Sequence, residues 1–252
     1  MRKIAVWCQK GGTGKSTISA HLAYAASAVK RTLLIDADPQ ASLTNWLLKE
    51  APRHELADVL VRKTTPKDAI EPLSENLDIL PSFSVGGDLG GFASSGKLND
   101  APFIFDDLCR ELIPMGYGLV IFDLSPGFRT LEQRILIAVD EVISPITPEA
   151  FGIDALQTLQ ENLKELNQAW RRTVEHRILI VNKMNRSFRR HRIYRRQLQK
   201  QEFDLFTIPQ DAKIGESQMV NETVFTYDQR SKSIPELRRL AATVLGGLNA
   251  GT

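Results

Sequence analysis

Nine consecutive residues, Gln9-Lys10-Gly11-Gly12-Thr13-Gly14-Lys15-Ser16-Thr17, have the types and spacing to hold a polyphosphate. Glycines let backbone N–H groups curl around phosphate oxygens with no Cβ in the way, and the N-terminus of a following helix adds partial positive charge. Lys15 is spaced to reach the terminal phosphates, and the Ser16 hydroxyl to ligate Mg²⁺. The common pattern carries glycine five residues before Gly14. Here that position is Gln9, and a second lysine, Lys10, follows it.

Two further stretches carry carboxylates. Asp36-Ala37-Asp38-Pro39-Gln40 could orient an attacking water and support a Mg²⁺ shell. The same Asp-Pro pair could instead start a turn or cap a helix over 41–47. Phe122-Asp123-Leu124-Ser125-Pro126-Gly127 ends an apolar run in Asp123, where a carboxylate can hold a Mg²⁺-bound water, although a strand-terminal aspartate also caps helices.

The elements that must position these residues alternate. Strand-like apolar runs fall at 4–8, 32–35, 77–80, 119–122, 141–146, 178–181 and 205–208, with helical patterns near 15–29, 102–112, 130–140, 149–168, 187–201 and 235–248. This order predicts one α/β domain over 1–252, a doubly wound, mainly parallel sheet with helices on both faces. In such sheets ligands bind beyond the carboxyl ends of the strands, where all three stretches lie. The Gly/Ser-rich region 82–100 reads as a loop or short surface helix within that domain.

At 252 residues, 42% hydrophobic and 25% charged, the composition is that of an ordinary globular chain, and the net charge of +2 implies no acidic partner. Cys8 and Cys109 have no metal-ligand spacing and read as buried thiols. Neither a targeting segment nor a run of apolar residues long enough to span a membrane is visible, so a cytoplasmic location is expected. The charge distribution is less even. Between Glu175 and Glu202 no acid interrupts Arg177, Lys183, Arg186, Arg189, Arg190, Arg192, Arg195, Arg196 and Lys200. On a helix starting near Ser187, Arg189, Arg192, Arg196 and Lys200 share one face while Phe188, Tyr194 and Leu198 point inward. Such a stripe can track nucleic-acid phosphates without reading bases, or lie solvated, or meet anionic lipid or an acidic protein.

The run KGGTGKST resembles the deviant Walker A motif of the ParA/MinD group of P-loop ATPases, and the order of elements is similar along essentially the whole chain. The resemblance implies ATP and Mg²⁺ as cofactors, with Lys10 reaching the nucleotide of a partner subunit. Asp36-Ala37-Asp38-Pro39-Gln40 matches the group's switch I, which makes Asp38 the water-positioning residue and Asp36 a supporting one. Asp123 matches the Walker B aspartate; the switch II that follows keeps one proline, Pro126, where the group usually has two. Lys10, Lys15 and Asp38 are thus the implied catalytic residues, with Asn182 on one side of the adenine and Pro209 and Asp211 on the other.

The function implied is slow ATP hydrolysis in an ATP-sandwich homodimer, stimulated by a ParB-like partner. Non-specific, nucleoid-associated DNA binding would serve plasmid or chromosome partitioning. No N-terminal helix-turn-helix domain is expected, because the chain opens on its first strand. The alternative is a MinD-like positional ATPase acting on a membrane or protein cargo. The tail 235–252 has only two cations and no aromatic residue, reads as a packing helix that frays at its glycines, and leads to no expectation of stable membrane association. An iron–sulfur relative would need cysteines at a dimer interface, and Cys109 is the only one outside the first strand.

Overall fold

The computed structural model describes residues 1–148 and 152–246. In chain order the elements are β1 (Arg2–Val6), α1 (Lys15–Ser27), β2 (Thr32–Ala37), α2 (Ser42–Leu47), α3 (Leu56–Leu60), α4 (Pro66–Ala69), β3 (Glu71–Ser74) and β4 (Leu77–Leu80). Next come α5 (Leu89–Ser94), α6 (Lys97–Asp100), α7 (Ile104–Leu112), β5 (Leu119–Leu124), α8 (Thr130–Leu136), β6 (Glu141–Ile146) and α9 (Gly152–Trp170). The chain continues through β7 (Glu175–Met184), α10 (Arg189–Leu198), β8 (Asp204–Pro209), α11 (Ala212–Met219), α12 (Val224–Tyr227) and α13 (Ile234–Val244).

The strands form one sheet in the order β3-β4-β2-β5-β1-β6-β7-β8, parallel throughout except at β3. β2, β5 and β6 are buried along their whole length, as strands covered on both faces must be. Alternation then assigns the two cores. Ala5, Trp7, Leu33, Ile35, Val120 and Phe122 pack toward α3, α7 and α8, whereas Ile4, Val6, Leu34 and Ile121 pack toward α1 and α13. Fully burying a side chain of the size of Phe122 contributes about 1.5–3 kcal/mol, so each face is held by many such increments.

The doubly wound expectation holds, with local corrections. β3 is an eighth strand that the apolar pattern did not show. It is a short antiparallel edge carrying Pro72, with alternating rather than continuous burial. The first strand ends at Val6, so Trp7 and Cys8 lie in the entry to the glycine loop. Region 82–100 holds two short helices, α5 and α6, which bury Leu89, Phe92 and Leu98 in the core. The expected helix 149–168 begins in residues 149–151, and the expected fraying of the tail falls on 247–252; both lie outside the described residues. Among the described residues no helix is long and apolar enough to cross a membrane.

Candidate active site and its basic neighbour

β1 delivers the chain into the glycine loop, and α1 begins at Lys15. Gly12 and Gly14 take left-handed backbone conformations, with φ of 73° and 93°, which turn the loop back over the helix N-terminus. Gly14 has a second reason to be glycine, since a Cβ there would overlap the Asn182 amide. The Lys15 ammonium folds back over the loop, donating to Lys10 O at 3.5 Å. It is 7% exposed, and burial lowers its pKa against the raising pull of Asp123 and Asp38.

The register between β2 and β5 sets Asp36 directly beside Asp123, both fully buried. Asp36 accepts from Thr44 N at 2.8 Å and Thr44 Oγ1 at 2.7 Å, and its other oxygen accepts from Asp38 N at 3.3 Å. Asp36 thus braces the turn into α2. Burial pushes its pKa up to about 6. Asp123 Oδ1 accepts from Ser19 Oγ at 2.8 Å, while Oδ2 is buried with no hydrogen-bond partner. Burial, then the neighbouring Asp36, pushes Asp123 up to about 7. A buried carboxylate oxygen without a donor, near the Ser16 hydroxyl, is the donor set a hard divalent cation takes, so these residues fit Mg²⁺.

Asp38 lines a cleft of about 480 Å³ together with Gly12, Lys15, Ser16 and Thr17. Its Oδ1 accepts from Gln40 N at 2.9 Å, and the chain turns at Ala41, whose φ is 49°. Pro126 lines the same cleft from the loop after β5. That loop is pinned by Trp7 Nε1, which donates to Gly127 O at 2.7 Å, and by Glu132, which accepts from Ser125 Oγ and from Arg129 N.

Several contributors escaped the sequence reading. Trp46 and Gln218 also line the cleft, and Gln218 donates to Thr17 Oγ1 at 3.2 Å. Trp46 Nε1 donates to Glu222 O at 3.0 Å. His21 donates through Nδ1 to Thr17 O at 2.7 Å and accepts from Val224 N at 3.1 Å, and burial holds its pKa down to about 4, so it is neutral. Ser19, which anchors Asp123, sits four residues after Lys15, so helical periodicity on α1 points to it.

The expected base-side residues are placed differently from one another. Asn182 is buried, donating to Thr13 O at 2.8 Å and accepting from Lys183 N at 2.9 Å, so its amide braces the loop. Asp211 caps α11, accepting from Lys213 N at 3.1 Å, Ser231 Oγ at 2.7 Å and Ser233 Oγ at 3.1 Å. Pro209 ends β8 and lines a separate cleft of about 540 Å³ with Asn185, Arg186, Gln210 and Lys232.

Of the basic run, Arg189, Arg192 and Arg196 are exposed on one side of α10, as expected, and Lys200 is exposed just past its end. Tyr194 and Leu198 point inward as expected, and Phe188 does not: α10 starts at Arg189 with Phe188 as its cap, 46% exposed, and His191 takes the first buried position. Three cations leave the patch. Arg177 pairs with Asp204 at 3.0 Å, Lys183 donates to Gly12 O at 3.1 Å, and Arg195 donates to Thr207 Oγ1 at 3.1 Å.

The sheet order, the glycine loop with its lysine, and the strand-terminal aspartate pair define a P-loop nucleotide-binding protein. A family model described as an AAA domain matches residues 1–176. The chain is 38% identical over 242 residues to the uncharacterised protein BBD21 of Borreliella burgdorferi, covering 95% of this chain and 98% of that one. It is 29% identical to the cell division protein PomZ of Myxococcus xanthus, covering 96% and 77%. To the chromosome-partitioning ATPase Soj of Thermus thermophilus it is 26% identical, covering 97% and 96%. Among solved structures, apo McdA of Cyanothece superposes with a TM-score of 0.84 at 18% identity, over 98% of this chain and 100% of that one. The chain belongs to the ParA/MinD family of P-loop partition ATPases.

Proposed function

We propose that this ATPase binds ATP with Mg²⁺ in the cleft above β1 and β5, dimerises across the nucleotide, and in that state binds DNA without sequence preference to partition a plasmid or chromosome. The observation that carries the reading is the pairing of a complete phosphate-loop site with the exposed arginine face of α10 on the same chain. Ser16 and Asp123, the latter through water, would hold Mg²⁺, which when bound would supply positive charge beside the phosphates. Lys15 binds the terminal phosphates from within the loop, and its burial strengthens that attraction. Asp38 orients the attacking water from the rim, with Asp36 fixing the turn that carries it. Asn182 keeps the loop closed beside the base, with Pro209 and Asp211 bounding its far side.

Arg189, Arg192, Arg196 and Lys200 supply the contacts to DNA phosphates. A ParB-like partner stimulates an otherwise slow hydrolysis and releases the dimer, which makes the protein cytoplasmic and nucleoid-associated. The MinD-like membrane reading is disfavoured by α13, whose Leu237, Leu240, Ala241 and Val244 are buried in the core against α1 and so are not presented to lipid. Lys10 is the test of the dimer. Lys10→Ala should bind ATP as a monomer yet fail to form the ATP-dependent dimer in sedimentation velocity; a dimer that persists removes Lys10 from the trans role.

A further inference from the structure

Between the glycine loop and the basic helix lies the segment 182–191, and its side chains connect the two. β7 ends irregularly, with a register shift against β8 between Val181 and Met184. Lys183 there takes φ of 54°, a left-handed conformation that a lysine rarely adopts. The distortion brings two successive side chains onto the loop backbone: Asn182 donates to Thr13 O at 2.8 Å, and the Lys183 ammonium to Gly12 O at 3.1 Å. On the other side, Asn185 N donates to His191 Nδ1 at 3.1 Å, and Asn185 Oδ1 accepts from Ser187 N at 3.0 Å. His191 is 7% exposed and lies in the first turn of α10. A second tie runs beneath the helix, where Tyr194 and Leu198 pack in one cluster with Cys8, the residue before Gln9.

We propose that Lys183 and His191 are positioning residues that couple occupancy of the phosphate loop to the set of the basic helix α10. Lys183 is exposed, and its ammonium rests on a neutral carbonyl of the loop that receives the phosphates. A polyphosphate beside that carbonyl offers the ammonium a charged acceptor, which binds it more strongly than the carbonyl does. The differential contact acts on a strained backbone residue in direct line with Asn185 and His191, and so biases the arrangement of α10. His191 acts through Asn185, whose backbone N–H it accepts at 3.1 Å. The output of this coupling rests on the DNA reading above, whereas the coupling itself does not.

The test is hydrogen exchange of the amides of residues 186–195 in the full chain, with and without a slowly hydrolysed ATP analogue, beside its affinity for non-specific duplex DNA. In the wild type the analogue should slow exchange about fivefold, the scale of a single hydrogen bond. His191→Leu and Lys183→Met should each abolish that nucleotide-dependent difference, and His191→Gln, whose amide oxygen can accept from Asn185 N, should restore it. The ratio of DNA affinities with and without analogue should fall toward one in the same two variants. If His191→Leu fails to fold, Lys183→Met and His191→Gln decide. A wild type that binds the analogue with no change in exchange overturns the coupling, as does a full response in both Lys183→Met and His191→Leu. A normal exchange response with no DNA binding in any state sinks the DNA reading and leaves the coupling standing.

Discussion

The phosphate-loop end of the sheet and the face of α10 both suit phosphate, by opposite physical means. At the loop the charges are buried: Lys15 is 7% exposed, and Asp36 and Asp123 are 0% exposed. On α10 Arg189, Arg192 and Arg196 stand in solvent, in a stretch with no acid between Glu175 and Glu202. A buried charge interacts strongly and at one point, because little water screens it. Exposed charges interact weakly one by one and lose ground to salt, but they sum along a polyanion. The first arrangement suits chemistry on a single phosphate group; the second suits a sequence-blind grip on many.

Mutations should separate the two regimes. Lys15→Ala removes a buried cation facing the phosphates, and isothermal titration should show ATP affinity reduced on the order of a hundredfold. Retained affinity would mean that the loop binds by its backbone alone. The triple change of Arg189, Arg192 and Arg196 to Ala should act differently. It should flatten the dependence of log affinity for DNA on log salt by about three units, roughly one for each phosphate that is no longer neutralised. An unchanged slope would show that other cations hold the phosphates.

The smallest expected effect is a pH dependence of stability. Burial pushes Asp123 up to about 7 and Asp36 up to about 6 from an ordinary value of 3.8. Between those values the folded chain keeps protons that the unfolded chain has lost. The contribution of these groups is therefore fully present below about 4 and is lost as pH rises toward 7 when no Mg²⁺ is bound. Asp123→Asn removes its share of that slope. Its melting temperature relative to wild type should rise between about pH 5 and pH 7 without Mg²⁺, and a constant difference would contradict the raised pKa.

What the sequence disclosed follows the range of the interactions involved. Strand, glycine loop and α1 were legible because glycines, lysine and hydroxyl lie within one short run. Asp36 and Asp123 could each be picked out at a strand end, but their adjacency depends on the β2–β5 register, 87 residues apart in sequence, which local pattern does not encode. Trp46 and Gln218 reach the cleft through tertiary packing and left no signal of their own. β3 was invisible because an edge strand with a proline lacks the apolar run of a buried one. The basic helix was legible from its charge, and so were two of its inward residues, Tyr194 and Leu198. Because it starts at Arg189 rather than near Ser187, His191 and not Phe188 is the first buried side chain.

The central claim is that the nucleotide held by the buried site governs the grip of the exposed one. It is tested most directly by measuring affinity for non-specific duplex DNA without nucleotide, with ADP and with a slowly hydrolysed ATP analogue, each at two salt concentrations. Tight, salt-sensitive binding with the ATP analogue alone is the expected result. Equal binding in all three states would contradict nucleotide control, and no binding in any state would contradict DNA as the partner of α10.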